Sequence, residues 1–507
     1  MVEVTTDDLP PPKGERHVLQ PREELRFEVA FGTAASGASP NLDVISFCLQ
    51  KGSCELYGCE LAVQKVYSIP QGGIKVALFT WHGCVIDLWE GSTEGALDIS
   101  YTSDETDSNV AFVNTHAQLE ALRDDASLAI FNATDETTKK NISGPRVMVV
   151  GETECGKSTL VKTLVAYATK LGRTPLWVDL DPMDNSISVP GTLAVAPMTA
   201  AAVTVESYAT TGIPPNTVHP LVVYHGSSTE IHPALFKGQV DRLAHSIQSR
   251  MDHDEQARAS GIVVNTNGWI RDEGYELLLY TAEALKISVL LVLGHDRLYS
   301  MMTSHYKKLQ REQGDDTSVV PKVLKLPRSG GIVSRPSDFI RQCRSRAVKK
   351  YFYGDMIADN TTSDAEKESK TAESSMKRIP QLTPFLSQLP LSDVRIYKVS
   401  SMALSSSLLP VAQQQTTDAV QIIEIDLEGS TSDVDSLQHA LLAVCHPAAV
   451  AAYEESGRGR DLVTAGVAGF CAVERIVKET DQIHLLSPCA GNLPSKTLIV
   501  GDITWME

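Results

Sequence analysis

The sequence predicts an α/β protein. A central domain on a parallel, doubly wound sheet is flanked by an N-terminal β-sandwich-like domain and a small C-terminal α/β domain. Three observations predict this. Short apolar or alternating runs broken by Gly and Pro occupy residues 17–115. From residue 144, strand–loop–helix units repeat. After residue 386, strands return with a single helix among them.

In order along the chain, residues 1–16 are acidic and Pro-rich, with no apolar stretch, and read as a disordered N-terminus rather than a signal peptide. In 17–115, Glu24–Val29 alternates polar and apolar residues, while Lys75–Trp81 and Cys84–Trp89 are apolar runs. Strands of this length between turn signals predict a small sandwich or barrel. Residues 116–143 read as a helical linker: a helix to Asp135, with Leu119, Leu122 and Leu128 among charges, then a polar stretch. The 144–354 segment holds a strand at Arg146–Val150, a helix at Ser158–Leu171 closed by Gly172, and strands at Leu176–Leu180, Gly261–Val264 and Ile287–Leu293. Alternation of this kind predicts βαβ units and a parallel sheet. Residues 355–385 are polar and charged with little to bury, and read as a disordered insertion. The 386–507 segment predicts strands at Asp393–Val399, Gln421–Ile425, Gln482–Leu486 and Thr497–Ile503, and a helix at Ser436–Val444.

With 507 residues, the chain has room for two to four domains at about 100–200 residues each. Its net charge of -18 argues against blanket binding of nucleic-acid phosphates, which needs a basic excess, but leaves room for a local basic groove. No run approaches the ~18 apolar residues of a membrane span. The nine cysteines are odd in number and scattered, and lack zinc-ligand spacing, which points to a reducing compartment, cytoplasm or nucleus.

One motif carries chemistry. Gly151, Glu152, Thr153, Glu154, Cys155, Gly156, Lys157 and Ser158, followed by Thr159, fit G-x-x-x-x-G-K-[ST] between an apolar strand and an amphipathic helix. Backbone N–H groups of such a loop and the helix N-terminus attract phosphate oxygens. Lys157 can reach the β- and γ-phosphates, and the Ser158 hydroxyl can ligate Mg²⁺. The central segment is therefore predicted to be a P-loop NTPase domain. The strand after it ends at Asp181, where open α/β sheets bind ligands. Asp181 can hold a Mg²⁺ water or take a proton from a hydroxyl; from spacing alone it also fits a turn or cap. These residues indicate a phosphotransferase or ATPase without naming the acceptor.

The run from Gly144 through the P-loop, Leu171–Pro175 and Ser188–Gly191 resembles the polyribonucleotide 5′-hydroxyl kinase family that includes the Clp subunit of the pre-mRNA cleavage complex. Glu24–Val29, Phe79–Cys84, Asn114–His116, Leu326–Gly331 and Tyr351–Gly354 agree, in the same order. The resemblance implies an ATP- and Mg²⁺-dependent kinase of RNA 5′ ends. Its implied partners are other cleavage-complex subunits and the tRNA splicing endonuclease; its implied location is the nucleus, away from membranes. It assigns residues 151–159 and Glu24 to ATP, Ser158 and Asp181 to Mg²⁺, and Asp181 to the attacking hydroxyl. Trp269, which by itself reads as a core tryptophan, matches a residue that stacks on the terminal base. Five arginines lie in 328–346, and Arg335 and Arg344 match lid arginines that contact phosphates, although such a cluster also fits a solvated helix face. Three positions depart from active members. Glu154 stands for Asp, Ile340 for a lid arginine beside Arg341, and Asp184 ends a Pro-Met-Asp run in place of Val-Gly-Gln. The Asp-Pro pair resembles members that hold ATP as scaffolds, so a scaffold is the alternative function.

Overall fold

A computed structural model describes residues 9–29, 45–69, 73–90, 97–209, 217–313, 320–354, 356–358, 378–399, 422–427 and 436–506. The N-terminal segment forms two packed antiparallel sheets. One has the order Glu15–Leu19, Cys84–Glu90, Ile45–Gly52, Val66–Ile69; the other has Cys59–Glu60, Glu55–Leu56, Ile74–Phe79, Glu24–Val29, Leu97–Ser103. Leu25, Phe27 and Val29 point into the shared core with Phe47 and Leu49, as the alternation predicts. Glu24 and Arg26 on the other face are also buried, because Asn109 and the backbone at Glu105 cover them.

The central segment is built from helix α1 (Asp107–Asn132), strand β1 (Arg146–Val150), α2 (Lys157–Lys170), β2 (Leu176–Leu180), β3 (Thr192–Pro197), β4 (Leu221–Tyr224), α3 (Pro233–His253), β5 (Ile262–Thr266), α4 (Glu273–Ala284), β6 (Val289–Leu293), α5 (Asp296–Gln313), β7 (Lys322–Leu326) and α6 (Ser337–Tyr353). The sheet order is β4-β3-β2-β5-β1-β6-β7. Its strands are continuous apolar runs because both faces are covered. Val147 and Val149 face one core with Leu160, Val161 and Leu164 of α2. Met148 and Val150 face the other, with Val240 and Leu243 of α3 and Leu277 of α4. Each side chain so buried contributes about 1.5–3 kcal/mol.

The expected all-parallel sheet is mixed. Strands β2, β5, β1, β6 and β7 run parallel, but β3 pairs antiparallel with β2, and β4 antiparallel with β3. The connection 181–191 contains no helix, and a parallel return needs a crossover of about a dozen residues or more, usually helical.

Other expectations shift. The helix expected from residue 116 starts at Asp107, and the polar stretch after it contains a short helix, Glu136–Asn141, capped by Asp135. The helix expected at Ser436–Val444 is a strand, Ala440–Cys445, with all six residues buried in the middle of a seven-stranded C-terminal sheet. A short apolar run is compatible with either state until its neighbours are known. Within 1–16, Glu15 and Arg16 already belong to a strand; residues 1–8 lie outside the described set. Within 355–385, Met356–Ala358 pairs with Arg378–Pro380, and residues 359–377 lie outside the described set.

The C-terminal sheet packs on the central one. Phe352 of α6 stacks on Trp505 with ring centroids 5.3 Å apart, and the Phe470 N–H donates to the Tyr351 hydroxyl at 3.0 Å. Gln239 of α3 donates to the backbone carbonyls of Tyr224 (2.9 Å) and Val463 (3.0 Å). No helix among the described residues is long and apolar enough to cross a membrane.

Candidate active site

The parallel strands bring four loops to one edge: 151–156 after β1, 181–191 after β2, 267–272 after β5, and 294–295 after β6. In the first, Gly156 caps α2 with φ +94° and Glu154 has φ +59°, a conformation that turns successive N–H groups inward. The loop after β5 comes so close that a Cβ on Gly268 would overlap the Thr153 backbone and hydroxyl.

Lys157 is buried and its Nζ donates to the Glu152 carbonyl at 2.7 Å, so the ammonium curls over its own loop. The Glu152 carboxylate lies 3.3 Å from His295 Nε2. Cys155 is buried beneath the loop, and burial pushes its thiol pKa up. Thr159 accepts a bond from the Thr163 hydroxyl through its carbonyl.

Beneath Ser158 lies a relay. Asn265 Nδ2 is 3.3 Å from Ser158 Oγ and 3.0 Å from Asp179 Oδ1. Asp179 is fully buried and also accepts the N–H groups of Asp181 (3.1 Å) and Ser186 (2.9 Å). Burial pushes its pKa up to about 6 against the pull of those donors. Asp181 is pushed up to about 7, by burial first and then by Asp179 and Asp184, with Lys157 opposing. One of its oxygens accepts the Met183 N–H at 3.0 Å. Asn265 Oδ1 is buried and has no partner among the described residues. A buried acceptor without a partner beside a hydroxyl and a carboxylate fits a hydrated cation, so the residues present suit Mg²⁺.

Trp269 is half-buried, packed at the edge of the α3–α4 core, and its backbone N–H donates to Asn267 Oδ1 at 2.9 Å. Glu24 lies at the N-terminal sheet, where its carboxylate is taken by Arg26 Nε (2.8 Å) and Asn109 Nδ2 (2.7 Å). Gly331, at the foot of the segment leading to α6, packs against the Arg26 guanidinium.

The arginine cluster splits. Arg335 Nε is 3.2 Å from Glu154 and its Nη2 is 3.1 Å from Asp184. Arg344 Nε donates to the Met183 carbonyl at 3.0 Å. Arg335 therefore bridges the P-loop and the loop after β2, and Arg344 reaches the loop after β2. Arg341 does not: its side chain is 79% exposed and pairs with Asp338 on its own helix, so it does not replace the arginine absent at Ile340. The sequence reading passed over Asp179 and Asn265. The signal was present, since each is a polar residue within an apolar strand otherwise free of polar side chains up to that point.

A glycine-gated loop on a helix N-terminus, a buried lysine and a carboxylate of raised pKa define a P-loop phosphate-binding protein. Residues 18–126 match the "N-terminal beta-sandwich domain of polyadenylation factor", 151–354 the "mRNA cleavage and polyadenylation factor CLP1 P-loop", and 382–507 the "Pre-mRNA cleavage complex II protein Clp1". The chain is 32% identical over 491 residues to the "Protein CLP1 homolog" of Dictyostelium discoideum, covering 96% of this chain and 89% of that one. It is 31% identical over 506 residues to the human "Polyribonucleotide 5′-hydroxyl-kinase Clp1", covering 100% and 99%. The chain belongs to the Clp1 family. A solved structure of a Clp1p–Pcf11p complex shares the fold, with a TM-score of 0.69 at 20% identity over 98% of this chain and 99% of that one.

Proposed function

We propose that this chain is an ATP- and Mg²⁺-dependent polynucleotide 5′-hydroxyl kinase that acts on RNA ends in the nucleus as a subunit of the pre-mRNA 3′-end cleavage machinery. The observation that carries the reading is Asp181, a carboxylate raised to about 7 at the mouth of a P-loop. Full-length relatives named as polyribonucleotide 5′-hydroxyl kinases support it, as does a solved relative in complex with Pcf11p for the cleavage-complex role. The tRNA splicing endonuclease is a second candidate partner by the same resemblance.

ATP lies with its phosphates on residues 151–159 and its adenine toward Glu24. Ser158 and Asp181 would hold Mg²⁺, which would supply positive charge against the charge that develops during phosphoryl transfer. Trp269 stacks on the terminal base, and stacking is tolerant of sequence. The RNA 5′-oxygen attacks the γ-phosphorus while Asp181 takes its proton. The bond from the γ-phosphorus to the bridging oxygen breaks, and ADP leaves. Lys157, Arg335 and Arg344 stabilise charge spread over the transferring group.

A second reading, an ATP-retaining scaffold, is favoured by one observation: Glu154 and Asp184 already neutralise Arg335. Incubation of the purified chain with γ-labelled ATP and a short 5′-hydroxyl RNA separates the two. Label on RNA that disappears in Lys157→Ala supports the kinase; tight ATP retention without transfer rejects it for the scaffold.

A further inference from the structure

Glu154 and Asp184 share one guanidinium but do different things to it. Glu154 holds the main chain. Its Oε1 accepts the Arg335 backbone N–H at 2.9 Å as well as Nε at 3.2 Å, and its Oε2 accepts the Ser334 hydroxyl at 3.2 Å. It therefore ties the start of α6 to the P-loop whichever way the arginine tip turns. Asp184 holds only the tip, through Nη2 at 3.1 Å.

The Nε–Nη2 edge is the fork that matches a phosphate bidentately. Here that edge is divided between two carboxylates. A phosphate that docks bidentately on the Nε–Nη2 edge displaces Asp184, and it approaches a carboxylate of its own sign. Asp184 is 40% exposed and its neighbour Met183 is anchored by Arg344, so the carboxylate stays at the rim of the site where the exchange occurs.

We propose that Asp184 is a specificity-determining residue that competes with the terminal phosphate of a nucleoside triphosphate for the tip of Arg335, while Glu154 anchors the arginine's backbone, so that the pair sets the preference for triphosphate over diphosphate. The inference rests on the reading that Arg335 reaches the terminal phosphate. A diphosphate never asks for the arginine and is indifferent to the competitor. A triphosphate that takes the Nε–Nη2 edge breaks the Arg335–Asp184 pair to gain it. Charge pairs this exposed are modest, so the competition is worth about two- to fivefold in affinity.

The test is equilibrium binding of ATP and ADP, without RNA, to the full chain and to Asp184→Asn, Asp184→Gln, Arg335→Ala and Asp184→Asn/Arg335→Ala. Both Asp184 variants are expected to tighten ATP about two- to fivefold and to leave ADP unchanged. That gain is expected to vanish in the Arg335→Ala background. No gain for ATP overturns the competition. So does an equal gain with Arg335→Ala already in place, because plain repulsion of phosphate by Asp184 would persist there. Arg335→Ala alone tests the underlying reading. If it does not erode the preference for ATP, Arg335 does not reach the terminal phosphate and the competition falls with it. If it does erode the preference while Asp184→Asn gains nothing, only the competition falls. Absence of RNA phosphorylation leaves the result intact.

Discussion

Asp179 and Asp181 are two residues apart, and burial raises both, to about 6 and about 7. A base must be unprotonated, so transfer to a 5′-hydroxyl is expected to fall on acidification, with an acid limb below pH 7 because a cation held beside Asp181 favours its ionised form. A pH–rate profile checks this, and Asp181→Asn should remove both the rate and its acid limb. The same burial disfavours the ionised pair. Its contribution to stability is fully present below about pH 4 and is lost as pH rises through 6 and 7. Trp269 is the other residue whose role binding can decide. Trp269→Ala is expected to raise the KM for RNA by about 5- to 150-fold, the span of about 1–3 kcal/mol per stacked base, with ATP affinity unchanged. Equal loss of both would make it a core tryptophan. Lys157 and Ser158 could be proposed from the sequence because their spacing between a strand and a helix is itself the P-loop pattern, whereas the role proposed for Asp181 needed the family resemblance. It hid Asn265, whose importance depends on a partner on the neighbouring strand and another on α2.

Among the elements, those set by local pattern were the readable ones. β1 and β2 fall where the apolar runs place them, and α2 begins one residue before the expected start. Pairing direction was not readable, because β3 follows a loop whose length and lack of a helix decide the matter. The Ala440–Cys445 strand was misread because its six apolar residues are consistent with a helix until sheet neighbours claim them. The loop after β5 is legible only in three dimensions: it lies so close to the P-loop that a Cβ on Gly268 would overlap Thr153. Gly268→Ala is therefore expected to lower nucleotide affinity at least tenfold, which corresponds to about 1.4 kcal/mol, with the melting temperature little changed. Titration with ATP beside a thermal melt checks it. Loss of stability equal to loss of binding would place the effect in the core instead.

For the whole molecule, the contact between the central and C-terminal sheets carries a titratable group. His225 is buried, with Nδ1 2.9 Å from Gln239 Oε1, and Nε2 accepts the His232 N–H at 3.2 Å. That pattern assigns the neutral tautomer with the proton on Nδ1. Burial lowers its pKa to about 4, although the bond to Gln239 opposes the shift. A depressed pKa contributes stability that is complete above about 6.5 and is lost as pH falls through 4, by about 3 kcal/mol at most. Urea unfolding at pH 7 and pH 4.5 checks this: the wild-type chain should lose more stability on acidification than His225→Gln. Because Gln239 also holds Val463, acid is expected to loosen the two sheets from each other first, which hydrogen exchange at 440–506 would detect.

Helix α6 joins the loop edge of the central sheet to that same contact. Just before it stands Arg335, paired with Asp184, and at its middle Arg344 donates to the Met183 carbonyl; at its end Tyr351 and Phe352 are pinned to Phe470 and Trp505. Seventeen residues make a rod about 25 Å long. Its last turn is held by aromatic contacts and its middle carries a cation. Held by rings at one end and tied along its length to the loop after β2, this one helix spans the distance between the C-terminal sheet and the edge where the P-loop lies.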